Sequence, residues 1–520
     1  MAPRGGAIVI RLLILPLLAA ASAPSLLWSQ MGPGHAIPKT WDEEALADWA
    51  TPVAGLNVRP AHISAPDYYA LPVENLRTYP VYFPGREPEG YWEMLQHIDP
   101  MPLIEPEKLN TQADWVAAGK RVFDEADMIH ERVFDPKLIA AARRGETFEH
   151  SHTEPLPDGT LYFLRWVPTK QGVALSLGNC NSCHLQYSDD GTRVPGAPSF
   201  PGVIRGAQFS NPLVPEIHNA SSVLSGDMPF KMSASDPLGV WLYQAFGVPW
   251  MRDGNDARLK TFSRADYIAY SRAFTRSGGI PRWNGSLFFP SKIPDLIGIK
   301  DRKYIDHTAT HIHRGIGDLM RYAALVSFAE AADFGSFHVL GTSTKRVQAR
   351  LPDEALYALA LYIYSLQPPP NPNRFDKRAA AGQTIFQREG CVGCHTPPLY
   401  TSNKLTLALG FTPPKDAPAA LDILRLSIGT EPGLALATRK GTGYYKVPSL
   451  KGVWYRGHYL HDGSVASLEE MFDPDRVKDT HVPGGFIPVG ERTHAIKGHE
   501  FGLRLTAEER QELIAFLRSL

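Results

Sequence analysis

The sequence predicts a mainly α-helical chain of two tandem units, with long irregular loops and an N-terminal extension. Three observations carry that prediction: a pair of amphipathic closing helices, a proline-rich break between them, and a cysteine pattern repeated once in each unit. Leu351-Pro352-Asp353-Glu354 opens a helix whose apolar stripe is Leu356, Leu359, Ala360 and Ile363. Leu505-Thr506-Ala507-Glu508-Glu509 opens a second, with Leu513, Phe516, Leu517 and Leu520 on one face. Apolar residues at i, i+3, i+4 and i+7 share a helical face, which is why both read as helices packed on a core. Thr506 followed by Glu509 also makes a capping-box start. The first helix runs into Gln367-Pro368-Pro369-Pro370-Asn371-Pro372, which lacks the amide hydrogens a helix needs and reads as a linker. The units are therefore placed at 111–367 and 374–520.

Taken in order, residues 1–30 read as an export signal or an N-terminal anchor. Arg4 supplies positive charge, Leu12 to Ala20 an apolar core, and Ala21-Ser22-Ala23 a small-residue cleavage pattern. Leu12 to Trp28 comes near the lower limit for spanning a bilayer, so a membrane tether stays open. The expected location is periplasmic or secreted. Residues 31–110 are rich in proline and aromatics without a sustained helical period, and read as an extension that wraps other parts or offers a partner surface. Asp114 to Met128 and Ala379 to Gln387 are expected helices, with Gly390 ending the second just before Cys391. The chain has 53 basic and 54 acidic residues, and no basic run with interleaved aromatics suggests nucleic acid.

The four cysteines fall in Cys180-Asn181-Ser182-Cys183-His184 and Cys391-Val392-Gly393-Cys394-His395. An exported chain ordinarily spends four cysteines on two disulfides. Here each pair is C-x-x-C followed directly by His, the attachment signature of covalently bound haem c. Two thiols one turn apart reach the two vinyl groups on one porphyrin edge, and the adjacent imidazole comes under the iron. A zinc ribbon wants its cysteine pairs some 15–20 residues apart, far closer than these two lie. Two haem c groups, with His184 and His395 as proximal ligands, are therefore expected in two cytochrome c-like domains.

Tyr444-Tyr445-Lys446-Val447-Pro448-Ser449-Leu450 is followed by Tyr459-Leu460-His461-Asp462-Gly463-Ser464. With the two haem signatures, this stretch resembles the bacterial dihaem cytochrome c peroxidase superfamily, which includes MauG and the rubber oxygenases. His458 stands where that family usually has proline. The resemblance implies a C-terminal haem with a second protein ligand. Gly498-His499-Glu500-Phe501 resembles the element that supplies a His in the rubber-oxygenase branch, so His499 is the favoured ligand, ahead of Met471, His458 and His461. It also implies a reactive N-terminal iron. His307, His311, His313, Arg314 and Asp318 lie where relatives carry distal-pocket residues, and they supply the base and the charge that peroxide cleavage needs. The tryptophan that the family places between the haems is missing, and Tyr304 or Trp283 is its expected substitute.

The implied function is an oxidoreductase of peroxidase type. Electrons would come from a small redox donor protein (a cytochrome or cupredoxin) or a quinol-linked donor, and pass from the C-terminal to the N-terminal haem and on to hydrogen peroxide. Two alternatives remain. One is a haem-dependent dioxygenase acting on an apolar substrate; the other is an electron-transfer dihaem cytochrome with no chemistry of its own.

Overall fold

The computed structural model describes residues 37–520, apart from 200–268 and shorter stretches within 53–63, 128–131, 145–154, 177–178, 271–287, 329–348, 418–420 and 437–440, and single positions such as 189. The signal or anchor at 1–30 and Trp283 lie outside the described residues.

Two helix pairs organise the chain. Helix α1 (Gln112–Glu125) opens on a capping box in which Thr111 and Asp114 exchange side-chain and backbone hydrogen bonds. Helix α2 (Ile316–Phe328) packs on α3 (Asp353–Ser365), and α3 lies along α1. Helix α4 (Lys377–Arg388), capped by the Asp376 carboxylate on the Ala379 amide, lies along α5 (Ala507–Arg518), whose Thr506–Glu509 capping box is formed.

The two crossings share one construction. A Cβ on Gly119 of α1 would sit 1.9 Å from the Ala358 carbonyl oxygen and 2.7 Å from Tyr362 Cβ of α3. A Cβ on Gly382 of α4 would sit 1.9 Å from the Glu512 carbonyl oxygen and 2.9 Å from Phe516 Cβ of α5. Only glycine allows backbones to approach this closely. One turn on, Phe123 meets Tyr362 edge-on at 5.4 Å, and Phe386 meets Phe516 at 5.2 Å. Each crossing belongs to its own core, one holding Val122, Leu356, Leu359 and Ile363, the other Ile385, Leu468, Leu513 and Leu517. Cys180 packs against the first core and Cys391 against the second.

The expectation of a mainly α chain is met only in part, because several sheets separate these helices. Strands β1 (Tyr79–Tyr82), β2 (Arg132–Val133), β3 (Thr160–Thr169) and β4 (Gly172–Ser176) form an antiparallel sheet in the order β1-β3-β4-β2. Leu161, Leu164 and Trp166 of β3 bury against Val81, Leu95 and Val133. A second sheet joins β5 (Leu405–Leu407), parallel to β6 (Ile423–Ser427) and antiparallel to β7 (Tyr444–Lys446). Within 31–110, short helices at Glu43–Ala47, Ala65–Tyr69 and Tyr91–His97 interrupt the irregular chain. Trp41 stacks on Tyr68 at 4.8 Å, and both join Trp49 in the core of α1 and α3. Among the described residues no helix is long and apolar enough to cross a membrane.

Candidate haem-binding site

Both cysteine signatures fold as tight turns. The amides of His184 and His395 donate to the carbonyls of Cys180 and Cys391, each at 2.9 Å. The carbonyls of Cys183 and Cys394 accept from the Ser199 and Ser402 amides at 2.9 and 2.7 Å. Gly390, at φ +75°, makes the left-handed turn that leads from α4 into Cys391. None of the four cysteines is in a disulfide. Burial pushes the thiols of Cys180 and Cys391 up to about 12 and about 11.

His395 is oriented by two carbonyls. Its Nδ1–H donates to Tyr400 O at 3.2 Å and Pro448 O at 3.1 Å. Carbonyls can only accept, so the proton sits on Nδ1 and the lone pair on Nε2 faces away, ready for a metal. Burial pushes the His184 imidazole down to about 4, against the Asp295 carboxylate and the Pro294 carbonyl, which favour its charged form.

His499 faces His395 across a cavity of about 550 Å³, with ring centroids 6.3 Å apart. Two metal–imidazole bonds of about 2.0–2.1 Å, each extended by the radius of the ring, span a little over 6 Å between ring centres. The gap thus fits one ion held between the two imidazoles. Burial, with neighbouring His395 and the Arg476 guanidinium, pushes His499 down to about 4, so the ring is uncharged at neutral pH and keeps one nitrogen with a lone pair. Among the described residues no third His, Cys, Asp or Glu joins the pair as a metal group. The cavity wall between them is apolar, with Phe386, Leu450, Val453, Phe472 and Leu517. A planar apolar macrocycle tethered at Cys391 and Cys394 fits that space, and it would supply the iron's remaining ligands.

The His499 loop is built to hold this position. Gly498 (φ +83°) packs so closely on Gly429 that an added Cβ would lie 2.6 Å from its carbonyl oxygen, and the His499 amide donates to Ile428 O at 2.7 Å. The fully buried Arg476 donates to four carbonyls: Met471 at 2.9 Å, Ile496 at 2.5 Å, Gly498 at 3.1 Å and His499 at 2.7 Å. Sequence reasoning missed Arg476, because its partners are backbone atoms with no residue signature.

The other proposed ligands line the same cavity without facing His395 as His499 does. Met471 is buried in the α5 core. Burial pushes His458 down to about 4. His461 stacks against Tyr445 at 4.7 Å and lies 3.7 Å from Glu431; burial opposes its protonation, but the carboxylates of Asp462 and Glu431 prevail and raise it. Tyr304 also lines the cavity, and its hydroxyl accepts from the Asp422 amide at 3.3 Å.

The five distal-pocket candidates are not gathered in one place. His307 lines the cavity, its Nε2 donating to Lys292 O at 2.9 Å. His311 is buried against Trp49 at 3.9 Å, with its Nε2 3.2 Å from that of His62. Both nitrogens of His313 are used structurally, Nδ1 donating to Arg302 O and Nε2 accepting from the Tyr364 hydroxyl, each at 2.7 Å. Arg314 and Asp318 form an ion pair at 2.8 Å that Arg321 joins.

No protein-family model matches the chain. Cytochrome-c peroxidase IdrP1 of Denitromonas iodatirespirans is 30% identical over 160 residues, covering 27% of this chain and 40% of that protein. Cytochrome-c peroxidase IdrP1 of Pseudomonas sp. (strain SCT) is 27% identical over 176 residues, covering 28% of this chain and 41% of that protein. The chain thus spans about 40% of the length of these relatives. Among solved structures, a MauG-like protein associated with microbial copper homeostasis aligns at 19% identity and a TM-score of 0.20, covering 32% of this chain and 56% of that one. Kuenenia stuttgartiensis hydrazine synthase aligns at 15% identity and a TM-score of 0.27, covering 54% of this chain and 87% of that one. Over the quarter of its length matched by the curated relatives, this chain is similar to proteins named cytochrome-c peroxidase.

Proposed function

We propose that the chain is an exported dihaem c-type cytochrome of peroxidase type, with tandem cytochrome c-like units holding haems at Cys180/Cys183/His184 and Cys391/Cys394/His395. The observation that carries this reading is the imidazole pair His395–His499 across an apolar cavity that opens beside a C-x-x-C-H turn. The repeated glycine crossing, one per signature, supports two units of common design. Bound haem would supply one-electron storage at one site and an open iron for peroxide at the other. Two electrons and two protons convert hydrogen peroxide to two waters. A small redox protein or quinol-linked donor would supply the electrons.

The residues divide the labour. Tyr400 and Pro448 fix the His395 tautomer, and Arg476 and Gly498 fix His499. A haem iron held by both His395 and His499 would favour electron transfer over ligand exchange, which would leave peroxide chemistry to the His184 side. The test is carbon monoxide binding to the reduced haem-loaded protein. One carbon monoxide per chain is expected in the wild type and two in His499→Ala. Two in the wild type would overturn the assignment of His499; none would overturn peroxidase chemistry. A dioxygenase acting on an apolar substrate also draws support from the facing imidazoles. Turnover of peroxide with a reduced donor, without oxygen uptake on polyisoprene, separates the two.

A further inference from the structure

The cavity that His395 shares with His499 is also lined by a cluster of cations. Lys292, Arg302, Lys446 and Arg456 line it from four separate parts of the chain. The side chains of Arg302 and Arg456 are 11% exposed. Their hydrogen bonds go largely to backbone carbonyls. Lys292 Nζ donates to Arg456 O at 2.8 Å, Lys446 Nζ to Tyr304 O at 3.2 Å and Ile305 O at 2.5 Å, and Arg456 to Ser449 O at 2.5 Å. Carbonyls solvate a cation but do not neutralise it.

The facing carboxylates among the described residues are two. Asp295 is 3% exposed, lies 3.5 Å from Arg302 and 3.7 Å from Arg456, and accepts from the Tyr455 hydroxyl at 3.1 Å. Asp306 is fully buried, accepts from Thr308 and Thr310, and acts on Lys446 through space. Four cations against two carboxylates leave two positive charges beside an otherwise apolar cavity. Burying charge without a counter-charge is costly, and the ordinary response is to shed the proton or to bind an anion. The strain shows in the lysines: burial, with neighbouring arginines, pushes Lys292 and Lys446 down to about 7.

We infer that this cluster is a two-carboxylate site which takes the propionates of the haem held at Cys391 and Cys394, and thereby raises that haem's reduction potential. Haem carries two such carboxylates, matching the two uncompensated charges. The inference rests on haem attachment as proposed above, but not on the identity of the ligand facing His395. Cations beside the macrocycle favour the reduced state, which carries one positive charge fewer. Asp295 and the Pro294 carbonyl, both lining the cavity, also act on His184, so the cluster adjoins the other signature.

The test is a spectroelectrochemical titration of haem-loaded Lys446→Met, Lys446→Arg and Arg456→Met. Both methionine variants are expected to lower the midpoint of the haem at Cys391/Cys394. A roughly tenfold fall in the reduced-to-oxidised ratio at fixed potential corresponds to about 59 mV for one electron. Lys446→Arg should stay near the wild type. Inorganic phosphate, added to the wild type, should leave the midpoint in place because the site is already filled. Unchanged midpoints in both methionine variants would overturn the inference. So would a saturable phosphate-induced shift, which would assign the cluster to a free anion. Should Lys446→Met fail to accumulate, Arg456→Met carries the same comparison. A high-spin haem at His395 would refute the His499 ligand while leaving this midpoint comparison intact.

Discussion

Replacing Arg476 by methionine is expected to free the His499 loop while leaving the core of α4 and α5 folded. Arg476 is fully buried and satisfies four carbonyls, two of which, those of Gly498 and His499, belong to the loop itself. A hydrogen bond from a charged donor contributes about 1.5–3 kcal/mol. The two loop bonds therefore anchor His499 by about 3–6 kcal/mol, or roughly two to four powers of ten in the docked-to-released ratio at 1.4 kcal/mol per decade. A metal–imidazole bond in the haem-loaded protein would oppose part of that release. The assay is the absorption spectrum of the oxidised haem-loaded variant, together with carbon monoxide binding after reduction. A high-spin fraction and a second carbon monoxide per chain are expected, and added imidazole should restore the low-spin spectrum. A variant that stays fully low-spin, with wild-type carbon monoxide stoichiometry and an unchanged Tm, would refute the argument that Arg476 positions the loop.

Gly119→Ala and Gly382→Ala should each destabilise the chain by about 1–3 kcal/mol through overpacking, because a Cβ would meet carbonyl oxygen at 1.9 Å in both crossings. Thermal melts of the two variants check this, and an unchanged Tm for either would contradict the close approach. Gly498→Ala places a Cβ 2.6 Å from Gly429 O at φ +83°; it should raise the high-spin fraction as Arg476→Met does, and a wild-type spectrum would count against it. For Asp318, burial alone would raise the carboxyl, but hydrogen bonds from Arg314 and Arg321 overcome it and hold the group below the ordinary range. Its contribution is thus present above the unfolded value, near 3.9, and is lost as pH falls through the lower folded value. Asp318→Asn should be less stable than the wild type at pH 7, and the gap should close in acid. A gap that does not narrow as pH falls below the unfolded value near 3.9 would show that the ion pairs are not its source.

What could be read from the sequence was local. The C-x-x-C-H turns, the Thr506–Glu509 capping box and the apolar stripes of α3 and α5 each span less than about three helical turns, where spacing alone determines geometry. The His499 loop came from resemblance to a family, since no spacing rule points from residue 395 to 499. The sheet containing β3 escapes a reading of the sequence because Pro80 and Pro168 interrupt its strands, although Pro80 still pairs with Arg165 of β3 and Pro168 with Val173 of β4. Lys292, Arg302, Lys446 and Arg456 come together from across 165 positions of sequence, and no pattern in one dimension marks them as neighbours. The histidines between 307 and 313 show the converse. They sit side by side in sequence, yet the chain turns one toward the cavity, one into the tryptophan core and one against Tyr364.

The paired glycine crossings have a consequence for how such a chain can change over time. Gly119 and Ala358 meet across 239 positions, Gly382 and Glu512 across 130. Loop-closure entropy grows only with the logarithm of length, by about 0.6 kcal/mol for each doubling. The first crossing therefore closes at almost the same entropic cost as the second, despite enclosing nearly twice as much chain. Once the two helices are clamped, material added between them is thermodynamically inexpensive. The chain between residues 119 and 358 has room to gain and lose whole insertions without loosening the clamp. Divergence among related chains should accordingly concentrate inside the first crossing, with the second kept close to its minimal length.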